Sequence, residues 1–257
     1  MPYPQHVADD LRLLDGPIHE SNWPQVACPV CGTGVLVSLA DSLVLHESAE
    51  SHRSLDHEAW EPDWTYGVFS GSLRCINPRC TEPVVVSGRY RVEDDYEPDG
   101  RPTYATYFYL EFATPALKIL TPPTGTPDVV VTAIERASAV LWVDPSAAAN
   151  RLRTAIEMLL TAMDVQELNL KGGRLTTHAR IELFQAINQD AGNALMAVKW
   201  IGNAGSHVGS LTVTDVLDGA EMLDLALRLL YDRRDEELQK RIDEVNTHKG
   251  LPPKSQS

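Results

Sequence analysis

Lys199, Asn203 and His207 recur at intervals of four in the segment Lys199-Trp200-Ile201-Gly202-Asn203-Ala204-Gly205-Ser206-His207. On a helix this spacing stacks the three side chains on one face. An ammonium, an amide and an imidazole in one stripe suit the binding of an anion or the movement of a proton. Histidine titrates near neutral pH and can act as a general base. Lysine holds a phosphate only as a point charge, without the planar fork of arginine. Arg153 would supply that fork if its helix packs beside the stripe. Glu157 follows it by one turn, so the two can also neutralise each other. In a purely structural alternative, Asn203 and His207 form a buried polar network, with Gly202 and Gly205 permitting a close helix crossing.

The second chemical set is four cysteines, all in the N-terminal third: Cys28, Cys31, Cys75 and Cys80. Cys28-Pro29-Val30-Cys31-Gly32 places two thiolates on one side of a tight loop, with Gly32 free to adopt positive φ. Cys75-Ile76-Asn77-Pro78-Arg79-Cys80 forms a second arm, and together they can supply the four-sulfur tetrahedral shell of a structural zinc. Four thiolates leave no open coordination position, which argues against a catalytic zinc. His46, His52 and His57 lie near Glu47, Glu50 and Glu58 and read as a solvated loop inserted between strands.

Two kinds of element must position these residues. The stretches 35–45, 67–74, 84–92 and 104–112 are rich in β-branched and aromatic residues and predict strands of a small antiparallel, zinc-ribbon-like sheet. The acidic run Glu93 to Gly100 predicts a hairpin loop. Trp60, Trp64, Tyr66 and Phe69 would either cover the sheet or offer a stacking surface for bases. The run Leu120-Thr121-Pro122-Pro123-Thr124-Gly125-Thr126-Pro127 cannot continue a helix or a central strand. Beyond it, helices are expected over 128–142 with Asp128 as N-cap, from Asp144-Pro145 through Met163, over 177–188 burying Ile181, Phe184 and Ile187, through the Lys199 stripe, and from Thr214 into a charged tail. The fold class is therefore α+β, with a zinc-binding β domain (1–114), a Pro-rich linker (115–127), an all-α bundle (128–248) and a disordered tail (249–257).

The formal net charge of -14 argues against indiscriminate binding to duplex DNA, which needs many cations to displace counterions. No apolar run is long enough to span a membrane. The N-terminus lacks the basic and apolar regions of a secretory signal, so a cytoplasmic protein is expected.

Three segments together resemble the bacterial family known as domain of unknown function 4145, distantly related to the HEPN helical domains. They are Asp128-Val129-Val130 with Ile134-Glu135-Arg136-Ala137, the helix Asn150 to Leu160 with its Arg153-x-x-x-Glu157, and Ile201-Gly202-Asn203-Ala204-Gly205-Ser206-His207. The likeness spans about residues 125–235. It implies a HEPN-like bundle that forms a homodimer, and a zinc knuckle before such a bundle is a familiar arrangement. Many HEPN domains are metal-independent ribonucleases of toxin or phage-defence systems, with four to six residues between an Arg and a following His. Mapped on His207, that Arg would fall at Trp200, Ile201 or Gly202, and none is Arg. Three functions stay open: a dimeric adaptor with a protein partner, in phage defence or stress response; a ribonuclease using His207 with Lys199, Asn203 or Arg153, acting on RNA; and a non-catalytic nucleic-acid-binding protein.

Overall fold

The structure, a computed structural model, describes residues 7–204 and 211–250. The chain is mixed α+β, an N-terminal antiparallel sheet followed by a helical region. After a short helix α1 (Val7–Arg12) come β1 (Ile18–His19), β2 (Val26–Ala27), β3 (Val35–Ser38) and β4 (Val44–Glu47). A short helix α2 (Ala49–Ser54) precedes β5 (Tyr66–Cys75), β6 (Pro83–Tyr96) and β7 (Pro102–Thr114). The sheet order is β1-β7-β6-β5-β3-β2, with β4 pairing on β5. Alternation sets its two faces: Phe69, Leu73, Val84, Val86, Tyr90, Phe108 and Leu110 point into the core, while Val68, Val85, Arg89 and Arg91 are exposed. Trp23, Phe69 and Phe108 pack ring against ring inside, with centroids 4.8–6.1 Å apart.

Several expectations shift in detail. The expected strand 35–45 is two strands, β3 and β4, separated by a 3-10 turn at Ala40–Ser42. The stretch read as a solvated loop contains β4 and α2, the latter capped by Ser48, whose side chain accepts from the Ser51 N–H. The acidic run is largely strand, because β6 continues to Tyr96 and only the tip turns.

The segment 115–127 forms no helix or strand, yet Leu117, Ile119 and Leu120 are buried. The Ile119 N–H donates to Ser138 Oγ at 3.2 Å. The helices follow as α3 (Asp128–Val140), α4 (Pro145–Ala162), α5 (Thr177–Gln185), α6 (Gln189–Ala204), α7 (Val213–Tyr231) and α8 (Arg234–His248). Pro127, not Asp128, holds the N-cap position of α3. Asp144 caps α4 as expected, accepting from the Ala147 N–H with Pro145 next in line. Ile187 lies beyond the end of α5 and is 74% exposed rather than buried. Thr212 and Asp215 form a reciprocal capping box that starts α7.

The apolar faces of α3, α4, α6 and α7 merge with the inner sheet face into one continuous core. Helix α1 fastens the two regions: Arg12 reaches Asp218 at 2.5 Å and Glu221 at 3.0 Å on α7, and Asp15 accepts from Thr214 Oγ1 at 2.7 Å. Past a break at Asp232, α8 exposes Leu238, Ile242 and Val245. No described helix is long and apolar enough to cross a membrane.

Candidate functional site

The four cysteines converge where two loops meet at one end of the sheet. Cys28 follows β2, and its N–H donates to the Gly34 carbonyl at 2.8 Å. The Gly32 N–H donates to the Cys28 carbonyl at 3.0 Å and closes the turn that holds Cys31 beside Cys28, and φ +65° at Gly32 leads the chain out of it. Cys75 ends β5, in register with Leu36 of β3. Cys80 closes the second loop, its N–H donating to the Asn77 carbonyl at 2.9 Å, and Thr81 turns the chain with φ +52°.

All four Sγ atoms lie within 4.8 Å of one another. Cys28 Sγ is 3.8 Å from Cys80 Sγ, and Cys31 Sγ is 3.7 Å from Cys75 Sγ. Those separations far exceed the roughly 2.05 Å of a disulfide. They match the edge of a tetrahedron whose centre lies about 2.3 Å from each sulfur, about 3.8 Å. The residues present therefore fit a four-thiolate metal centre.

The surroundings favour thiolates unevenly. The Thr33 and Gly34 backbone N–H groups stabilise the Cys31 thiolate and pull its pKa down to about 6, the Gly34 N–H standing 3.2 Å from the sulfur. Burial pushes Cys75 up to about 12. Asn77 Nδ2 points at Cys31 Sγ from 3.8 Å. Gly34 fits between the arms because a Cβ there would collide with Cys75 Sγ and come within 2.8 Å of Asn77 Cβ. Sequence reasoning passed over both: Gly34, three residues past Cys31, and Asn77, two past Cys75, carry no local mark of these contacts.

The stripe on α6 is described as far as Asn203; His207 lies outside the described residues. Lys199 is 6% exposed and its Nζ sits 3.2 Å from the centroid of the Trp200 ring, a cation–π contact. Burial, then repulsion from Arg153, lowers its pKa. Helix α4 crosses α6 at Gly202, where an added Cβ would stand 3.3 Å from both the Ala149 carbonyl and Arg153 Cβ. The crossing brings Arg153 against Gly202 and close enough to Lys199 to repel its ammonium. Arg153 Nε is also 3.4 Å from Glu157 Oε1, and that oxygen accepts from Thr177 Oγ1 at 2.5 Å. Asn203 is half-buried beside Gly202.

One neighbour of the stripe was missed. His178, in the first turn of α5, packs against Trp200 with centroids 5.8 Å apart, its Nδ1 is 3.2 Å from Met196 Sδ, and its Nε2 is 3.4 Å from Glu182 Oε1. Met196 and Trp200 are four apart on α6, a spacing that could have flagged a contact with the neighbouring helix. His46, His52 and His57 are not brought together with either set: His52 pairs with Glu47 at 3.4 Å and His57 lies on Trp64.

Residues 16–117 match the model of a family described as a domain of unknown function (DUF8608), and residues 135–248 match that of a domain of unknown function (DUF4145). The first match holds all four cysteines. The second bears out the resemblance drawn from Arg153, Glu157 and the Gly202-Asn203 segment. No curated protein and no solved structure matches the chain.

Proposed function

We propose that the thiol cluster holds a structural zinc, and that the helical region is a HEPN-like bundle that pairs with a second copy. The chain then works as a dimeric, cytoplasmic interaction module for a protein partner, in phage defence or stress response. The observation that carries this reading is the four-sulfur shell closed by two loops of one sheet. Four thiolates complete the coordination of zinc and leave no position for a reacting water, so the metal holds structure. A reducing compartment suits four thiols kept for a metal. Pairing is supported by apolar side chains left exposed on the helices: Leu183 on α5, Leu225 and Leu229 on α7, and Leu238, Ile242 and Val245 on α8.

Metal analysis and light scattering on the purified chain test this. One zinc per chain and a mass of two 28.4 kDa chains are expected. A metal-free monomer would overturn the reading.

A second reading, a metal-independent ribonuclease, has one observation in its favour. Arg153 lies against Gly202 beside Lys199, so a guanidinium from α4 stands where none exists on α6 itself. Such an enzyme would use His207 as base and Arg153, Lys199 and Asn203 to hold the phosphate. Cleavage of single-stranded RNA in chelator, lost in His207→Ala, is its expected signature.

A further inference from the structure

Ser21, His19 and Asp95 form a hydrogen-bonded chain at one edge of the sheet. His19 belongs to β1, opposite Tyr107 of β7, and Asp95 lies near the end of β6. The Glu20 N–H donates to the Thr106 carbonyl at 3.0 Å and the Asn22 N–H to the His19 carbonyl at 3.0 Å, a turn that presents Ser21. In the sheet order β1 stands at the opposite end from β2, which leads into Cys28.

His19 Nε2 is 3.0 Å from Asp95 Oδ2, and Ser21 Oγ is 2.8 Å from His19 Nδ1. The other Asp95 oxygen accepts from the Tyr96 N–H at 2.8 Å, and this bond, with that from His19, holds the carboxyl below its usual range. An ionised carboxylate can only accept, so Nε2 carries the ring proton. Nδ1 is then a lone pair facing Ser21, and it also takes the Ser21 N–H at 3.1 Å. Tyr107 packs edge-on against the imidazole, with centroids 5.2 Å apart. Ser21 is exposed, while His19 and Asp95 are half-buried. A hydroxyl on a base, and that base on an orienting carboxylate, is the arrangement that activates a nucleophile.

We propose that Ser21 is a nucleophile toward acyl esters, with His19 as its base and Asp95 as a positioning residue. Ser21 Oγ bonds the ester carbonyl carbon while its proton passes to His19 Nδ1, and Asp95 stabilises the imidazolium that results. Proton uptake by Nδ1 releases the Ser21 N–H, which then donates to the oxyanion. The carbon–oxygen bond to the alcohol breaks, and the alcohol leaves with the proton from His19. Water attacks the acyl-serine, giving a proton to His19, and Ser21 Oγ regains that proton as the carboxylic acid departs. None of these steps needs the thiol cluster or a second copy of the chain.

The test treats the purified full-length protein with a fluorophosphonate probe, which bonds phosphorus to an activated serine and expels fluoride, and with p-nitrophenyl acetate. One probe per chain, located on Ser21 by peptide mass spectrometry, and a burst of about one nitrophenol per chain are expected. Ser21→Ala, at an exposed position, should lose both. His19→Ala should slow labelling by about hundredfold or more. Asp95→Asn should slow it by about hundredfold at unchanged melting temperature, with part of the rate recovered in Asp95→Glu. A wild type that takes no probe, a Ser21→Ala variant that still takes it, or a labelling rate unchanged in His19→Ala overturns the proposal.

Discussion

At the thiol cluster the backbone does the placing. Cys75 ends a strand, Cys28 follows one, Gly32 and Thr81 turn the chain, and main-chain hydrogen bonds hold each loop. Between α4 and α6 the placing is done by side chains and one close helix crossing. Gly202 admits Arg153, Trp200 covers Lys199, and Thr177 ties Glu157. A site set by backbone geometry leaves little freedom to its ligands and suits a metal that never exchanges. The crossing of α4 and α6 is set by long side chains, which keep more freedom, and this contrast supports a structural metal at the thiol cluster.

The contrast can be broken most forcefully at the sulfurs. Cys28→Ser should release the metal and destabilise the N-terminal sheet by about 4 kcal/mol or more, loss of a metal being among the few causes of so large an effect. Metal content and chemical denaturation check it. Gly34→Ala is next: its methyl would be driven between Cys75 and Asn77, and about 2 kcal/mol of overpacking is expected, with weaker metal retention.

Smaller effects sharpen the helical side. Asp215 receives the Thr212 N–H and hydroxyl, which holds its carboxyl below the usual value. A depressed carboxyl stabilises the fold above the ordinary aspartate pKa of about 3.9, and that contribution fades as pH falls through the folded value. Asp215→Asn should therefore cost about 1 kcal/mol near neutral pH and remove part of the acid sensitivity, read from melts across pH. Lys199→Met should leave the melting temperature unchanged or raise it. Burial and Arg153 disfavour the ammonium in the folded state, so the unfolded chain binds the proton more readily and stability rises with pH through that range. A large drop in melting temperature would make Lys199 a packing residue.

The same division governed what could be read in advance. Residue type and spacing announced the cysteines, the strands and the Asp144-Pro145 helix start, because backbone-built features leave local marks in sequence. Gly34 left none, since its role depends on the facing loop. Arg153 could be named but not placed, because its value depends on which helix crosses α6. His178 was missed for that reason too: the Met196 and Trp200 spacing marks a contact face on α6 but does not say that α5 supplies its partner. Ile187 was wrongly buried because the helical period was carried past the point where α5 ends.

The account rests most on the metal. Cobalt titrated into the purified, reduced chain, followed by absorption and by displacement with zinc, measures the shell directly. One equivalent bound in a tetrahedral all-thiolate environment, lost in Cys28→Ser and displaced by zinc, is the predicted result. Four freely reactive thiols with no bound metal would contradict it.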